Sequence, residues 1–298
     1  MTIDVHQHLW PAPFLAALRA RRVAPRLDGW TLHLPDEPSF AVDPVHHDVA
    51  ARLALAEEEG LALAAVAPSA ALGLERLPEA EFAELAGAWQ EGVTGLPAPF
   101  RWWAAAQTPD QLQAALDAGA LGLELGAAAL AAPDGLDRVA PLLELLDEAG
   151  APVLIHPGPA GAAAAARPCW WAAAVPYVTE LHAAWWAWAD GGRARFPHLP
   201  VCFVALAGLG PLHGERVRAR GGAPGGTVDS LTYVETSSYG TQAVDAVIRV
   251  LGIDVVCHGT DRPYAGPVPL GFGDAAEHVI RTANPSRLLA GVADGIAA

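Results

Sequence analysis

The sequence predicts an α/β protein folded as a single (β/α)8 barrel of the TIM type, and three observations lead there. Eight short apolar runs alternate with longer Ala- and Leu-rich segments along 298 residues, the alternation that marks parallel βα units. The runs are apolar almost without interruption, as strands covered on both faces are. No linker and no second nucleotide-binding-like half divides the chain, so residues 1–298 read as one barrel domain and not as two doubly wound sheets.

In chain order the runs are TIDVHQH (2–8), LALAAVAPS (61–69), RWWAAAQ (101–107), LGLELG (121–126), PVLIHP (152–157), PVCFVALAG (200–208), TYVETSS (232–238) and DVVCHGTD (254–261). Helix patterns lie between them, such as DPVHHDVAARLALAEEEG, with Asp43 or Asp48 as its cap, and PDGLDRVAPLLELLDEAG, closing at Gly150. Longer insertions at 11–42, 158–177 and 209–230 follow strands 1, 5 and 6. All three leave the C-terminal ends of strands, the face on which barrel active sites form, so they are expected to build the mouth. The GPAGAAAAARP stretch in the second reads as a low-complexity surface loop.

Composition narrows the function. With 52% hydrophobic and 17% charged residues, most of the chain must be packed. All 18 basic residues are arginine, and the absence of lysine excludes Schiff-base and pyridoxal chemistry, a P-loop lysine and a carbamylated-lysine bridge between two metals. A net charge of −15 with scattered arginines disfavours nucleic acid and anionic membranes as partners and leaves a small-molecule substrate. Cys169, Cys202 and Cys257 are odd in number and lack C-x-x-C spacing, which reads as reduced core thiols in a cytoplasmic protein. The first strand begins at residue 2, leaving no room for a signal peptide, and no run of 18 strongly apolar residues exists.

Polar residues gather at the strand ends. His6 and His8, two apart on strand 1, project to one side. Alone the pair is weak evidence for a metal, since two polar residues alternating on an edge strand look the same. His156 closes strand 5 and Asp261 closes strand 8, although the first is also an ordinary barrel histidine and the second an ordinary turn residue beside Gly259 and Pro263. As a set, three imidazoles and a carboxylate on one rim suit one divalent ion, Zn²⁺ foremost, with room for a bound water.

The ordered pieces D-x-H-x-H, PSAALGLERL, LPAPFRWWAA, ALGLELG, VLIHPG, ARFPHLPVCFVALAGLGP, HGTDRP and IRTANPSRLL span nearly the whole chain. In that combination the sequence resembles the amidohydrolase superfamily, in the amidohydrolase-related (amidohydrolase 2) branch that includes aminocarboxymuconate-semialdehyde decarboxylase. The resemblance implies a barrel of the metal-dependent hydrolase type and metal ligands at His6, His8, His156 and Asp261. It also implies a histidine at the end of strand 6, inside an A-H-x-G-G pattern. The sequence is expected to place Gly208 there instead, with His213 on the same loop reaching back over the site as a catalytic group.

Other candidates follow from position. Glu124, opposite in phase to Leu121, Leu123 and Leu125, is expected to support a ligand histidine or to pair with Arg101, and His258 to lie one layer lower in the barrel or to face the helices. Trp10, Trp170 and Trp171 follow strands 1 and 5 and are expected to wall an apolar or aromatic substrate pocket. His182 is a further pocket residue, and Arg262 a holder of a substrate carboxylate. Trp185, Trp186 and Trp188 read as helix packing or as the contact of a homodimer. The expected function is hydrolysis of an amide, lactone or other cyclic C–N or C–O bond by a metal-activated water, with Asp261 moving the proton. Non-oxidative decarboxylation of an aromatic or unsaturated acid is the alternative, and a metal-retaining barrel without catalysis a further one.

Overall fold

The computed structural model describes residues 2–35, 37–161, 167–168, 170–222 and 229–292. Its barrel strands are β1 (Thr2–His8), β2 (Leu61–Ala67), β3 (Phe100–Trp102), β4 (Leu123–Gly126), β5 (Val153–His156), β6 (Val201–Phe203), β7 (Thr232–Glu235) and β8 (Val256–Cys257). Seven lie inside their apolar runs, and β3 begins one residue ahead of its run, at Phe100. All neighbouring pairs are parallel, in the order β1-β2-β3 and β4-β5-β6-β7-β8. Bridges join the two sheets at both seams, Ala104 to Leu123 and Gln7 to Arg262. The second seam is reinforced by Val5 N–H to His258 O at 3.0 Å and by Asp261 N–H to His6 O at 2.9 Å. Strand 8 is thereby zipped to strand 1, and the two ends of the chain's ligand pattern meet.

Two details set the geometry of the rim. The register of β1 against β2 breaks between Asp4 and Gln7, an irregularity that re-aims His6. Arg52, buried on the helix Val49–Glu58, donates to His8 O at 2.7 Å, to His46 O at 2.9 Å and to Gln7 Oε1 at 2.5 Å, pinning the end of β1. Both cap candidates cap: Asp43 accepts from Val45 N–H ahead of the turn Pro44–His47, and Asp48 from Ala51 N–H ahead of the helix.

The first insertion folds as a helix, Ala12–Ala20, and a three-stranded antiparallel sheet of Arg26–Asp28, Thr31–His33 and Phe40–Ala41. The alanine run at 162–166, Cys169 and residues 223–228 lie outside the described residues. Cys202 and Cys257 are free and buried. Among the described residues no helix is long and apolar enough to cross a membrane.

The sixth run departs from expectation. It ends as strand at Phe203, and residues 205 to 209 turn left-handed, with φ rising from 47° at Ala205 to 60° at Leu209. A left-handed residue other than glycine costs about 1–2 kcal/mol, so four such residues around Gly208 require firm packing. Leu206 and Ala207 are wholly buried.

Candidate metal centre

β1, β5 and the segment after β8 bring His6, His8, His156 and Asp261 together. One ligand atom from each lies within 4.8 Å of all the others. The three imidazole rings meet edge to face, with centroids 4.9 to 5.2 Å apart. Each ring commits its Nδ1 to an oxygen: His8 to Ala67 O at 3.0 Å, His156 to Pro157 O at 2.8 Å, and His6 to Glu235 Oε1 at 3.3 Å. Oxygens of this kind accept, so each Nδ1 carries a proton and each Nε2 is the nitrogen turned to the cluster, where the neutral ring presents a lone pair. His8 Nε2 then lies 3.2 Å from His6 Nε2 and 3.1 Å from Asp261 Oδ1. Lone pairs facing lone pairs in a buried cluster fit a cation, and three nitrogens with one oxygen fit a divalent transition ion.

Burial is the largest influence on all three rings and disfavours their charged forms. It keeps His8 and His156 below the usual histidine range, His156 well below. In His6 burial is overcome by the hydrogen bond to Glu235 and by the charges of Glu235, Asp261 and Glu124, which raise it to about 9. The cluster therefore attracts positive charge. Asp261 is the ligand that opens outward: its side chain is 22% exposed, whereas the histidine side chains of His6 and His8 are 1% or less. Its φ of 59° is unusual, and the conformation is secured by Tyr264 N–H to Asp261 O at 2.9 Å.

Glu124 sits 3.9 Å from His156 Nδ1 and accepts the N–H groups of Ser69 at 3.2 Å and Ala70 at 3.0 Å. Burial raises its carboxyl to about 7. It does not meet Arg101, whose guanidinium reaches Gly119 O. His258 is buried and held through its backbone between Val5 and Ile280, and it is not part of the four-ligand group.

Four expectations are corrected. Trp10 is fully buried; its indole N–H donates to Pro68 O at 2.9 Å and its ring stacks on His47 at 4.4 Å, so it is core and not pocket wall. Arg262 turns Nη2 into an ion pair with Glu59, so that nitrogen is not free for a substrate carboxylate. Gly208 does not border the ligands: a Cβ there would lie 2.4 Å from Val178 O and 3.2 Å from Leu181 Cβ, so its missing side chain lets the left-handed turn press against the helix Pro176–Ala187. His213, beyond that turn, meets His182 instead of the ligand set, their centroids 4.7 Å apart, over a recess of about 390 Å³ shared with Trp186, Arg216 and Val217.

The residue of the strand-6 segment that does touch the centre's surroundings is Ala205, whose N–H donates to Glu235 Oε1 at 2.7 Å. Trp170 is exposed and pairs with Trp171, over which Arg167 stacks. Tyr264 is the aromatic nearest the ligands, 5.6 Å from the His8 ring and 6.4 Å from Phe40. Neither Tyr264 nor Glu235 stood out in the sequence, although Glu235 ends its strand as His156 ends β5. Asp4, the aspartate of D-x-H-x-H, has a role that the motif alone does not give. Fully buried, it accepts from His6 N–H, Gln7 Nε2, Thr260 N–H and Thr260 Oγ1 and so ties β1 to the strand-8 loop.

The sequence pattern of the family described as Amidohydrolase matches residues 3–293. No curated protein matches the chain at a significant level. Among solved structures, a 5-carboxyvanillate decarboxylase from Sphingomonas paucimobilis is 16% identical, with 97% of this chain and 98% of that one covered and a TM-score of 0.73. A 4-oxalomesaconate hydratase from Rhodopseudomonas palustris is 16% identical over 98% and 96%, with a TM-score of 0.68. A dihydroxybenzoic acid decarboxylase from Polaromonas, with bound manganese, is 16% identical over 99% and 98%, with a TM-score of 0.64.

Proposed function

The chain belongs to the amidohydrolase family, and from that membership we propose that it is a metal-dependent, non-oxidative decarboxylase of a small aromatic or unsaturated carboxylic acid. The observation that carries the reading is the ligand set of three imidazoles and one carboxylate, opening toward Asp261. Its support beyond the site comes from the neighbours, two of them decarboxylases and one a hydratase, which favours lyase chemistry over hydrolysis.

His6, His8, His156 and Asp261 would hold one divalent ion. Zinc suits the donors, and manganese, bound in the Polaromonas neighbour, suits them too. Bound there, the ion would supply a fixed positive charge toward the substrate's carboxylate. The chain's residues do the rest. Tyr264, beside His8, and Phe40, which packs on Tyr264, offer aromatic surface for an apolar ring. Asp261, the outward ligand, carries the proton. As the bond between the substrate carbon and its carboxylate breaks and CO2 departs, the electron pair stays on carbon and takes that proton, which Asp261 regains from water.

The test is metal-loaded protein incubated with ortho-hydroxybenzoates in D2O. Release of CO2 with one deuteron at the vacated carbon supports the proposal. Cleavage of lactones or amides in its place restores the hydrolytic reading, and hydration of an unsaturated acid would move the chain toward the hydratase.

A further inference from the structure

We propose that Glu235 is the positioning residue of the metal centre: its carboxylate holds the His6 ring so that Nε2, and not Nδ1, faces the ion. The inference rests on the metal reading given above and adds a residue that the ligand set does not contain.

Glu235 ends β7 and is fully buried. Its Oε1 accepts from Ala205 N–H at 2.7 Å and Ser237 Oγ at 2.5 Å and faces His6 Nδ1 at 3.3 Å; its Oε2 accepts from Ser237 N–H at 2.6 Å. Three of these four donors are neutral, and no arginine is among them. A buried carboxylate without a cation is costly, and the group able to supply positive charge is the His6 ring, on its own or through an ion bound at its far nitrogen. The neighbouring strand is shaped around this carboxylate. A Cβ at Gly259 would lie 2.2 Å from Oε2 and 2.7 Å from Cδ, so any side chain on Gly259 would drive Glu235 off its position. Carboxylate, imidazole and ion in line orient the ring and raise its basicity toward the metal, and loss of such an outer partner weakens metal binding about 10- to 100-fold.

A merely structural role, capping the left-handed turn at Ala205, makes a different prediction. It would lower the stability of metal-free and metal-loaded protein alike. The experiment compares native protein, Glu235→Gln and Ser237→Ala by competition for Zn²⁺ against a chromophoric chelator, with thermal unfolding of each form. Glu235→Gln should weaken Zn²⁺ binding by about 10- to 100-fold and shrink the rise in Tm that Zn²⁺ gives. Ser237→Ala, which removes a donor to Glu235 without touching His6, should bind Zn²⁺ within about threefold of native, well short of that loss. Because Glu235→Gln can fail to fold, a second reading uses the native protein: its ¹⁵N-histidine spectrum with Zn²⁺ should show His6 protonated at Nδ1 and metal-bound at Nε2. Native-like Zn²⁺ affinity in Glu235→Gln, or coordination of His6 through Nδ1, overturns the inference alone. Native protein that binds no divalent ion overturns the metal reading and this inference with it.

Discussion

His6 Nε2 and His8 Nε2 stand 3.2 Å apart and turned toward each other, because the Nδ1 of each ring is committed to an oxygen, of Glu235 in one case and of Ala67 in the other. Two neutral nitrogens so placed repel unless positive charge lies between them, a proton on His6 in metal-free protein or a metal ion. One divalent ion per chain is the expected occupant, since the described residues form one ligand group and no lysine exists to bridge a second ion. Elemental analysis should find one equivalent, and His6→Ala should lose most of it. Glu124→Gln should keep it, because Glu124 is bonded to Ser69 and Ala70 N–H and does not enter the ligand group. Two tightly bound equivalents would contradict this.

Asp261→Asn should lower turnover by about 10² or more, the scale of a lost proton-transfer group, while retaining much of the metal through the amide oxygen and the three histidines. Backbone strain does not confuse the test. Asp261 has φ of 59°, and asparagine tolerates that region at least as well as aspartate. Metal analysis alongside steady-state rates separates the roles; metal and turnover lost in equal measure would make Asp261 a ligand only.

The barrel and the four residues that converge on its rim were legible in the sequence because both depend on local pattern. Eight apolar runs name eight strands, and a polar residue closing such a run must project from the rim, as His8, His156 and Asp261 do. What failed depends on distant partners or on backbone handedness. Arg262 finds Glu59, 203 residues away, and Trp10 sinks into the core because His47, 37 residues on, accepts its N–H and stacks on its ring. The left-handed turn at 205–209 includes Leu206, Ala207 and Leu209, residues with no preference for it, so nothing local announced that Gly208 would face a helix.

Gly208→Ala should therefore destabilise the fold and leave the chemistry of the surviving folded protein intact. The new methyl meets Val178 O at 2.4 Å, and φ of 58° adds conformational strain, together worth roughly 2 kcal/mol or more. Gly208→His should be worse for the same reason, and His213→Ala should leave metal content and turnover near native. Urea unfolding measures the first two; a Gly208→Ala variant within about 0.5 kcal/mol of native would mean that the turn is not packed as described.

His47 should make the protein acid-sensitive. Its Nδ1 accepts Trp10 N–H at 3.0 Å, its ring stacks 5° from parallel on the indole, and it is 5% exposed. Burial, and then the charge of Arg52, lower it from 6.5 to about 3. Above pH 6.5 the ring is neutral in folded and unfolded chains alike and has no effect on the balance. As pH falls below 6.5 the unfolded chain takes up a proton that the folded one refuses, so stability is lost progressively down to about pH 3. At about 1.4 kcal/mol per pH unit, this amounts to on the order of 2 kcal/mol by pH 5. His8, His156 and His258 are lowered as well, so the test is a comparison. His47→Asn keeps an acceptor for Trp10 N–H and cannot titrate. It should be less stable than native at pH 8 for want of the stacked ring, yet lose less on moving to pH 5, by about the same 2 kcal/mol. Urea unfolding of both proteins at the two pH values gives the difference directly, and equal losses would mean that His47 is protonated in the folded state.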